Sequence, residues 1–202
     1  MRTLAILALA AALPAAAASV QVTVKDARGA AVEDAVVWAV PKVAPPPRAR
    51  REAAVEQKDK QFVPMVTVVQ TNTLVRFPNR DEIRHHVYSF SAPKPFEIKL
   101  YAGTSAAPIL FDKPGEVVLG CNIHDNMLGY IYVVDTPWFA KTRSDGSARL
   151  NDLPAGDYEL QAWHHAQSAP PAAQPATLRA DEDFAAQFTV TLKALPPRPG
   201  AK

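Results

Sequence analysis

The sequence predicts an all-β protein built as a Greek-key sandwich or barrel. Its apolar residues recur in short runs, many with the two-residue alternation of a half-buried strand. Most runs end at proline, glycine, asparagine or aspartate, and the 202-residue chain holds 19 prolines. No segment keeps a helical period over three turns, and the nearest candidate is the short polar stretch 50–57. Short, regularly spaced strands joined by turns favour packed β-sheets over helical folds.

Residues 1–18 are predicted to be a secretory signal peptide. Arg2 supplies a positive charge, a run rich in alanine and leucine follows, and three alanines form a small-residue cleavage signal before Ser19. This run is too short and too rich in alanine for a membrane helix, and no other stretch is long and apolar enough to span a bilayer. We therefore expect export into a bacterial periplasm.

The charge balance and the cysteine count limit the possible functions. The chain has 22 Lys and Arg against 20 Asp and Glu, so no global field favours nucleic acid or an anionic membrane. The single cysteine, Cys121, cannot form an internal disulfide. A lone thiol in an oxidising compartment is a liability unless it is buried or binds a metal.

After the signal peptide, two strands are predicted over 20–25 and 35–40, joined through the turn residues DARG. From 41 to 60 the composition changes to four prolines and a basic cluster between 48 and 51. We predict an exposed linker or long loop here. Its basic cluster is either simply solvated or a docking patch for an acidic partner.

Seven further apolar runs are predicted to be strands between residues 61 and 135. In chain order they read FVPMVTVV, TLVRFPN, HHVYSFS, FEIKLY, APILFD, GEVVLG and GYIYVV. Strands are then predicted over 147–150, 158–163 and 185–194, with a proline-rich loop over 168–176. Residues 196–202 are predicted to be a disordered tail.

The two ends of this strand series resemble halves of one known domain. Within 20–37 the chain reads V-x-V-x-D-x-x-G-x-x-V-x-x-A-V-V, and from 145 it reads DG-x-A-x-L-x-x-LPAG-x-Y-x-L. Together these strings resemble the carboxypeptidase regulatory-like (prealbumin-like) β-sandwich, in which only a short segment separates the halves. We predict that 19–45 and 136–195 form one split sandwich with a second β-domain, 56–135, inserted. One continuous larger sandwich is the alternative.

The loop LGCNIHDNMLGY carries three possible ligands for a soft metal. Cys121, His124 and Met127 are spaced three residues apart between two predicted strands, so the loop can direct all three side chains to one point. Upstream, His85 and His86 begin another strand, where successive side chains face opposite sides. Because His85 directly follows the loop NRDEIR, it is the predicted fourth ligand, with His86 as the alternative.

Two imidazoles and a thiolate with a weak axial thioether form the blue-copper electron-transfer site. The set His85, Cys121, His124 and Met127 therefore predicts one type 1 copper.

The pattern C-x-x-H-x-x-M with an upstream N-x(5)-H resembles the cupredoxin family, with the short loop of its amicyanin-like and plastocyanin-like members. FVP at 62–64 and VRFPN at 75–79 also resemble cupredoxin strands, and the resemblance covers 56–135. It implies a Greek-key cupredoxin sandwich, inserted in or packed on the prealbumin-like one, in which Asn79 supports the loop that carries the cysteine. The full layout, with a C-terminal WHH, is similar to periplasmic proteins labelled methylamine utilization proteins, which implies an electron-carrier context.

Four positions depart from the cupredoxin pattern. Leu119 stands where an aromatic residue is usual, and Gly120 provides no side chain before the cysteine. Arg84 replaces a common proline, and His86 replaces an asparagine. These differences bear on the colour and the potential of the site more than on copper binding.

We expect a monomeric carrier of single electrons between periplasmic redox proteins, with transient partners and no enzymatic activity. No Ser-His-Asp arrangement, phosphate loop or paired carboxylates stand in a plausible setting. One alternative is a Cu(I) chaperone or scavenger, and another is a metal-free binding module with Cys121 as a buried thiol. His164 and His165 are expected to be exposed at a strand end, with a second metal site or a partner contact as alternatives. The tryptophans Trp38, Trp138 and Trp163 are expected in the core or between domains.

Overall fold

The computed structural model describes residues 17–43, 49–103 and 107–193. These residues form seventeen β-strands and no helix, which confirms the all-β prediction. The strands are β1 (Ala18–Asp26), β2 (Val36–Pro41), β3 (Arg51–Ala54), β4 (Glu56–Lys58), β5 (Gln61–Val63), β6 (Val66–Gln70), β7 (Thr73–Arg76), β8 (His85–Ser89), β9 (Phe96–Tyr101), β10 (Ile109–Phe111), β11 (Gly115–Gly120), β12 (Leu128–Val134), β13 (Phe139–Lys141), β14 (Ser147–Leu153), β15 (Gly156–Trp163), β16 (Ala172–Leu178) and β17 (Asp183–Val190).

The predicted tail and all but the last two residues of the predicted signal peptide lie outside the described residues. Among the described residues there is no helix long and apolar enough to cross a membrane.

The strands form four main sheets and one hairpin. The sheets have the orders β14-β1-β17, β13-β2-β15-β16, β6-β12-β11-β8-β9 and β10-β7-β3, and β4 pairs with β5. The first two sheets enclose one hydrophobic core and the last two enclose another. A third apolar cluster joins the four-stranded sheet to the five-stranded sheet. The protein is therefore a stack of four β-layers with three apolar layers between them.

Strict side-chain alternation builds the first core. In β1, Val20, Val22 and Val24 are buried, whereas the intervening Gln21 is exposed. The β1 valines belong to the same buried cluster as Leu160 of β15 on the facing sheet. The strands predicted over 20–25 and 158–163 therefore bury the faces that their alternation indicates.

The second core uses the same alternation on the other sheet pair. Ile131 and Val133 of β12 belong to the same buried cluster as Val75 of β7 and Phe111 of β10. Cys121 belongs to this cluster, so the end of the five-stranded sheet that carries the predicted metal ligands is also part of a hydrophobic core. The ligands are thus held by packed strands on both sides.

The third apolar layer is rich in aromatic side chains. Trp38 of β2 and Trp163 of β15 meet Tyr132 of β12, with ring centroids 4.9 and 4.6 Å from that of Tyr132. Burial and the nearby charge of Glu116 raise the pKa of Tyr132 to about 12. Trp38 and Trp163 thus pack between the two sandwiches, while the division of the chain into separate folding units stays a prediction.

Two segments predicted as loops contain strands. The predicted linker 41–60 includes β3 and β4, and the proline-rich segment 168–176 overlaps β16. β3 pairs only with β7, and β16 pairs only with β15, so both lie at sheet edges. An edge strand is ordered by hydrogen bonds to one neighbour, so it tolerates charges and prolines that hide its pattern in the sequence.

Substituting Gly129 by alanine is expected to overpack the second core. A Cβ atom at this position would lie 2.8 Å from Cβ of Phe62 and 3.0 Å from its Cγ. Phe62 is 1% exposed and lies in the second core, so a shift of its side chain would disturb packed neighbours. We expect a loss of about 1–3 kcal/mol in the free energy of unfolding, measured by chemical denaturation. An unchanged stability in this variant would contradict the clash.

Glu116 makes the stability of the folded protein depend on pH. It pairs with Tyr132 across the sheet, and burial raises its pKa above the ordinary 4.5, although the Trp163 hydrogen bond and the charge of Lys193 oppose the shift. The folded state therefore binds the proton more tightly, and this stabilisation is lost as the pH rises through the folded pKa.

Glu116→Gln is therefore expected to melt at a higher temperature than the wild type near neutral pH. The difference should shrink as the pH falls through the folded pKa of Glu116, because the wild-type side chain is then neutral too. Melting curves of both proteins from about pH 4 to about pH 8 test this. A melting-temperature difference that does not vary with pH would show that the Glu116 charge is not its cause.

Candidate metal centre

Three neighbouring strands bring the predicted ligands to one end of the five-stranded sheet. β11 ends at Gly120, β12 begins at Leu128, and these two residues pair, so the loop 121–127 closes an antiparallel connection. β8 lies on the other side of β11 and pairs with it through Tyr88 and Gly120. His85, the first residue of β8, therefore lies opposite the loop.

His85, Cys121 and His124 form one compact group. The Sγ atom of Cys121 is 3.9 Å from Nδ1 of His85 and 3.8 Å from Nδ1 of His124. The possible ligand atoms of the three residues all lie within 4.8 Å of one another. Metal bonds of about 2.0 Å to nitrogen and about 2.3 Å to sulfur place these atoms about 3.5–3.8 Å apart at ordinary angles. The spacing therefore fits a single ion bound by all three side chains.

Met127 lies immediately before β12 and is 1% exposed. It belongs to the same buried cluster as Cys121. Its backbone N–H donates a hydrogen bond to the carbonyl oxygen of His124 at 2.9 Å, which closes a tight turn between His124 and Met127. The Met127 side chain is thus buried in the same core as Cys121.

The remaining histidines lie elsewhere. Strand alternation places His86 on the opposite face of β8, where its Nε2 is 3.0 Å from Glu97 Oε1. His164 and His165 are neighbours with ring centroids 4.1 Å apart, and His165 stacks near Tyr130. His164 is only 6% exposed and His165 is partly buried, so the expectation that both are exposed is wrong. Nδ1 of His164 accepts the backbone N–H of Ala166 at 3.2 Å in the turn that follows β15.

Among the described residues, the group of His85, Cys121 and His124 is the one set of three or more histidine, cysteine or acidic side chains that could hold a metal ion.

A carboxylate not anticipated from the sequence holds His85. Oδ2 of Asp81 lies 2.6 Å from Nε2 of His85, the ring nitrogen that faces away from Cys121. Burial alone would raise the pKa of Asp81, but hydrogen bonds from the Lys60 and Asp59 backbone and from His85 outweigh it and lower the pKa. The spacing D-x-x-x-H was a usable signal, since metal-binding histidines commonly donate their second ring nitrogen to a carboxylate.

Asn79 supports a different loop from the one that the resemblance implied. Its Nδ2 group donates to the carbonyl oxygens of Ile83 and Tyr101, and its Oδ1 accepts from the backbone N–H of Asp81. None of these three bonds goes to the loop around Cys121. Asn79 instead shapes the turn that places Asp81 beside His85. The loop around Cys121 is held by β12 and by its own turn.

Two tyrosines also border the site. A Cβ atom on Gly120 would lie 2.6 Å from Cζ of Tyr88, so the ring of Tyr88 covers the backbone just before Cys121. Tyr101 of β9 pairs with His85 of β8. Its hydroxyl group accepts a hydrogen bond from Gln57 and donates one to the carbonyl oxygen of Phe77. Burial raises the pKa of Tyr101, and the Cys121 charge adds to the shift. Gly120 thus makes room for an aromatic ring supplied by another strand.

His124 differs from the other two ligands in exposure. His85 is fully buried and Cys121 is 4% exposed, whereas His124 is partly exposed. Its neighbour Ile123 is 47% exposed, and Leu128 at the end of the loop is 48% exposed. One imidazole therefore reaches the surface in a loop that exposes the apolar Ile123 and Leu128 together with the polar Asn122, Asp125 and Asn126.

The donor set favours copper over zinc. Structural zinc sites are closed by four cysteine or histidine ligands, usually with at least two thiolates, and the described cluster offers one. One thiolate, two imidazoles and a nearby thioether match the preferences of copper. Fold and site together define an all-β protein with a buried His-Cys-His centre at the end of a sandwich.

No family model matches the chain, and no curated protein matches it. Solved structures similar to it include a copper-containing nitrite reductase from Thermus scotoductus SA-01, at 29% identity and TM-score 0.39, covering 42% of this chain and 22% of that one. A purple cupredoxin from Nitrosopumilus maritimus shares 17% identity at TM-score 0.36 over 41% of this chain and 99% of its own. A reduced Cu(I) form of a mutant amicyanin shares 17% identity at TM-score 0.38 over 48% and 98%. These likenesses are partial, so we base the function on the geometry of the site.

Proposed function

We propose that this protein binds one copper ion through His85, Cys121, His124 and Met127 and carries single electrons. The observation that supports this most strongly is the buried Cys121 thiol with an imidazole Nδ1 on either side at 3.8 and 3.9 Å. When bound, copper supplies a one-electron couple between Cu(I) and Cu(II). The chain's own contribution is to hold four ligands in one arrangement for both oxidation states.

Rigid support of the ligands suits electron transfer. Cys121 and Met127 belong to a packed core, and His85 is fixed between β9, β11 and Asp81. Ligands that move little between the two oxidation states keep the reorganisation energy low. His124, which is partly exposed at the surface, is the proposed point of electron entry and exit.

The same arrangement argues for a carrier rather than an enzyme. If copper were held by His85, Cys121, His124 and Met127, four protein side chains would bind it and leave no ready position for a substrate. The rim of Ile123 and Leu128 suits brief contact with redox partners through a small interface. We further propose that the protein is monomeric and periplasmic, with a signal peptide over 1–18. The resemblance to methylamine utilization proteins suggests that it carries electrons.

We also propose that the chain has two folding units, the split sandwich 19–45 and 136–195 and the inserted sandwich 56–135. Two separate hydrophobic cores support this division. The aromatic layer of Trp38, Tyr132 and Trp163 would then be the contact between the units.

The test is the spectrum of the full chain loaded with Cu(II). A type 1 site is expected to show an intense thiolate-to-copper absorption in the visible and a narrow copper hyperfine splitting. A colourless complex with ordinary hyperfine splitting would contradict the blue-copper assignment. Voltammetry then separates the carrier from the copper-handling alternative, because only a carrier requires a fast, reversible couple.

A further inference from the structure

We propose that Asp81 is a positioning residue that holds His85 in the tautomer and orientation needed to bind the metal. This inference rests on the proposed function, since it assigns a role toward the same centre. Asp81 lies four residues before His85, in the turn that precedes β8, and its side chain is 13% exposed. It touches neither Cys121 nor His124 through any described hydrogen bond, so its effect on the metal would pass through His85.

The contact between Asp81 and His85 determines which ring nitrogen faces the centre. Oδ2 of Asp81 lies 2.6 Å from Nε2 of His85, and a carboxylate can only accept a hydrogen bond. Nε2 must therefore carry the proton and donate it. The lone pair of a neutral ring is then on Nδ1, the atom 3.9 Å from the Cys121 sulfur. The ligand atom is thus prepared before any metal arrives.

Asp81 is itself held from behind by a hairpin. Oδ1 accepts the backbone N–H of Asp59 at 2.7 Å, and Oδ2 accepts that of Lys60 at 3.0 Å. Asp59 and Lys60 form the two-residue turn between β4 and β5, with φ angles of 53° and 56°. Non-glycine residues rarely adopt such angles in succession, and here both amides converge on one carboxylate. Asn79 completes the support by accepting the N–H of Asp81 at 2.9 Å.

The number of donors explains why an aspartate is needed. Three N–H groups, from Asp59, Lys60 and His85, converge on the Asp81 carboxylate. Asparagine is nearly the same size but has one accepting atom and one donating group. If its oxygen serves Asp59, its NH2 group faces the N–H groups of Lys60 and His85. His85 then gains from placing its proton on Nδ1, where the metal should bind.

A carboxylate behind a histidine ligand also makes the ligand more basic. A more basic imidazole favours Cu(II) over Cu(I), so Asp81 is expected to lower the reduction potential. Loss of this carboxylate should therefore raise the potential as well as weaken metal binding. Loss of outer partners of this kind typically costs about 10- to 100-fold in metal affinity.

The matched control is Asp125→Asn. Asp125 lies between His124 and Met127 and is exposed. This variant removes one negative charge from the loop of the centre without touching His85. If D81N changes the metal affinity or the reduction potential more than D125N does, the difference comes from the lost hydrogen bond and not from the lost charge alone.

The first measurement uses the metal-free full chain near neutral pH. Nitrogen-15 correlation spectra of the histidine rings should show His85 protonated on Nε2 in the wild type and in D125N. In D81N the signal should move toward the Nδ1-protonated form. Melting temperatures of the three proteins show whether D81N is folded, and D81A, which lacks the opposing NH2 group, serves as the second variant.

The second measurement is the Cu(I) affinity, by competition with a chelator, and the reduction potential. D81N is expected to bind about 10- to 100-fold more weakly than the wild type, with D125N within about twofold, and to have the higher potential. A wild-type His85 protonated on Nδ1, or equal affinities in D81N and D125N, would overturn this inference. A wild-type chain that binds no copper would instead refute the proposed function and, with it, the role of Asp81 toward the metal. The ring spectra would still show which nitrogen of His85 carries the proton.

Discussion

Replacing Cys121 by serine is expected to abolish the visible absorption of the copper-loaded protein. A thiolate is the strong ligand of such a site, whereas a serine hydroxyl stays protonated and bonds copper poorly. We expect Cu(I) affinity to fall by more than about 100-fold, beyond the upper end of what outer-sphere changes cost. The visible spectrum and a chelator competition on wild type and variant measure both effects.

Met127→Leu is the matched comparison for this result. It keeps an apolar side chain of similar volume in the same core and removes only the thioether of the proposed ligand set. The visible band should persist, with a changed reduction potential. A serine variant that keeps both colour and affinity would show that Cys121 does not bind the copper. A metal content of zero in both the wild type and the serine variant would instead support the metal-free alternative.

Replacing Trp163 by alanine is expected to cost about 3–5 kcal/mol of unfolding free energy, the usual range for a buried tryptophan. Trp163 is 5% exposed and stacks on Tyr132 at 4.6 Å and Tyr130 at 6.2 Å between centroids. It also hydrogen-bonds Glu116, so the variant leaves a half-buried carboxylate with one partner fewer. Chemical denaturation followed by circular dichroism measures the loss.

The shape of the Trp163→Ala transition also tests the proposed folding units. If the two sandwiches are separate units coupled through the aromatic layer, weakening the layer should broaden the transition or split it in two. Trp163→Phe keeps an aromatic ring in the layer and should lose much less. A loss below about 1 kcal/mol in the unfolding free energy of the alanine variant would contradict the role of Trp163 as a contact between the two sandwiches.

Strands with an apolar or alternating run were predictable from the sequence, including edge strands such as β9, β10 and β17, whereas the edge strands β3 and β16 were not. β1, β11 and β12 alternate or run apolar because they pack on a core, and the predicted segments coincide with them. β3 reads REAA and β16 contains Pro175, yet both pair with a neighbour. Their order comes from hydrogen bonds to one neighbouring strand, which leave little mark on the residues themselves.

The sequence by itself determined the all-β class, the pattern of buried faces and the spacing of Cys121, His124 and Met127 within one loop. These follow from local rules, because alternation and loop length act over a few residues. Only the tertiary structure decided that His85, and not His86, faces Cys121, that Asp81 lies behind His85, and that Trp163 joins two sandwiches. The first and third of these depend on which distant strands become neighbours. The second depends on a turn that the amides of Asp59 and Lys60 hold in place from another hairpin, so packing across the whole chain contributes to all three.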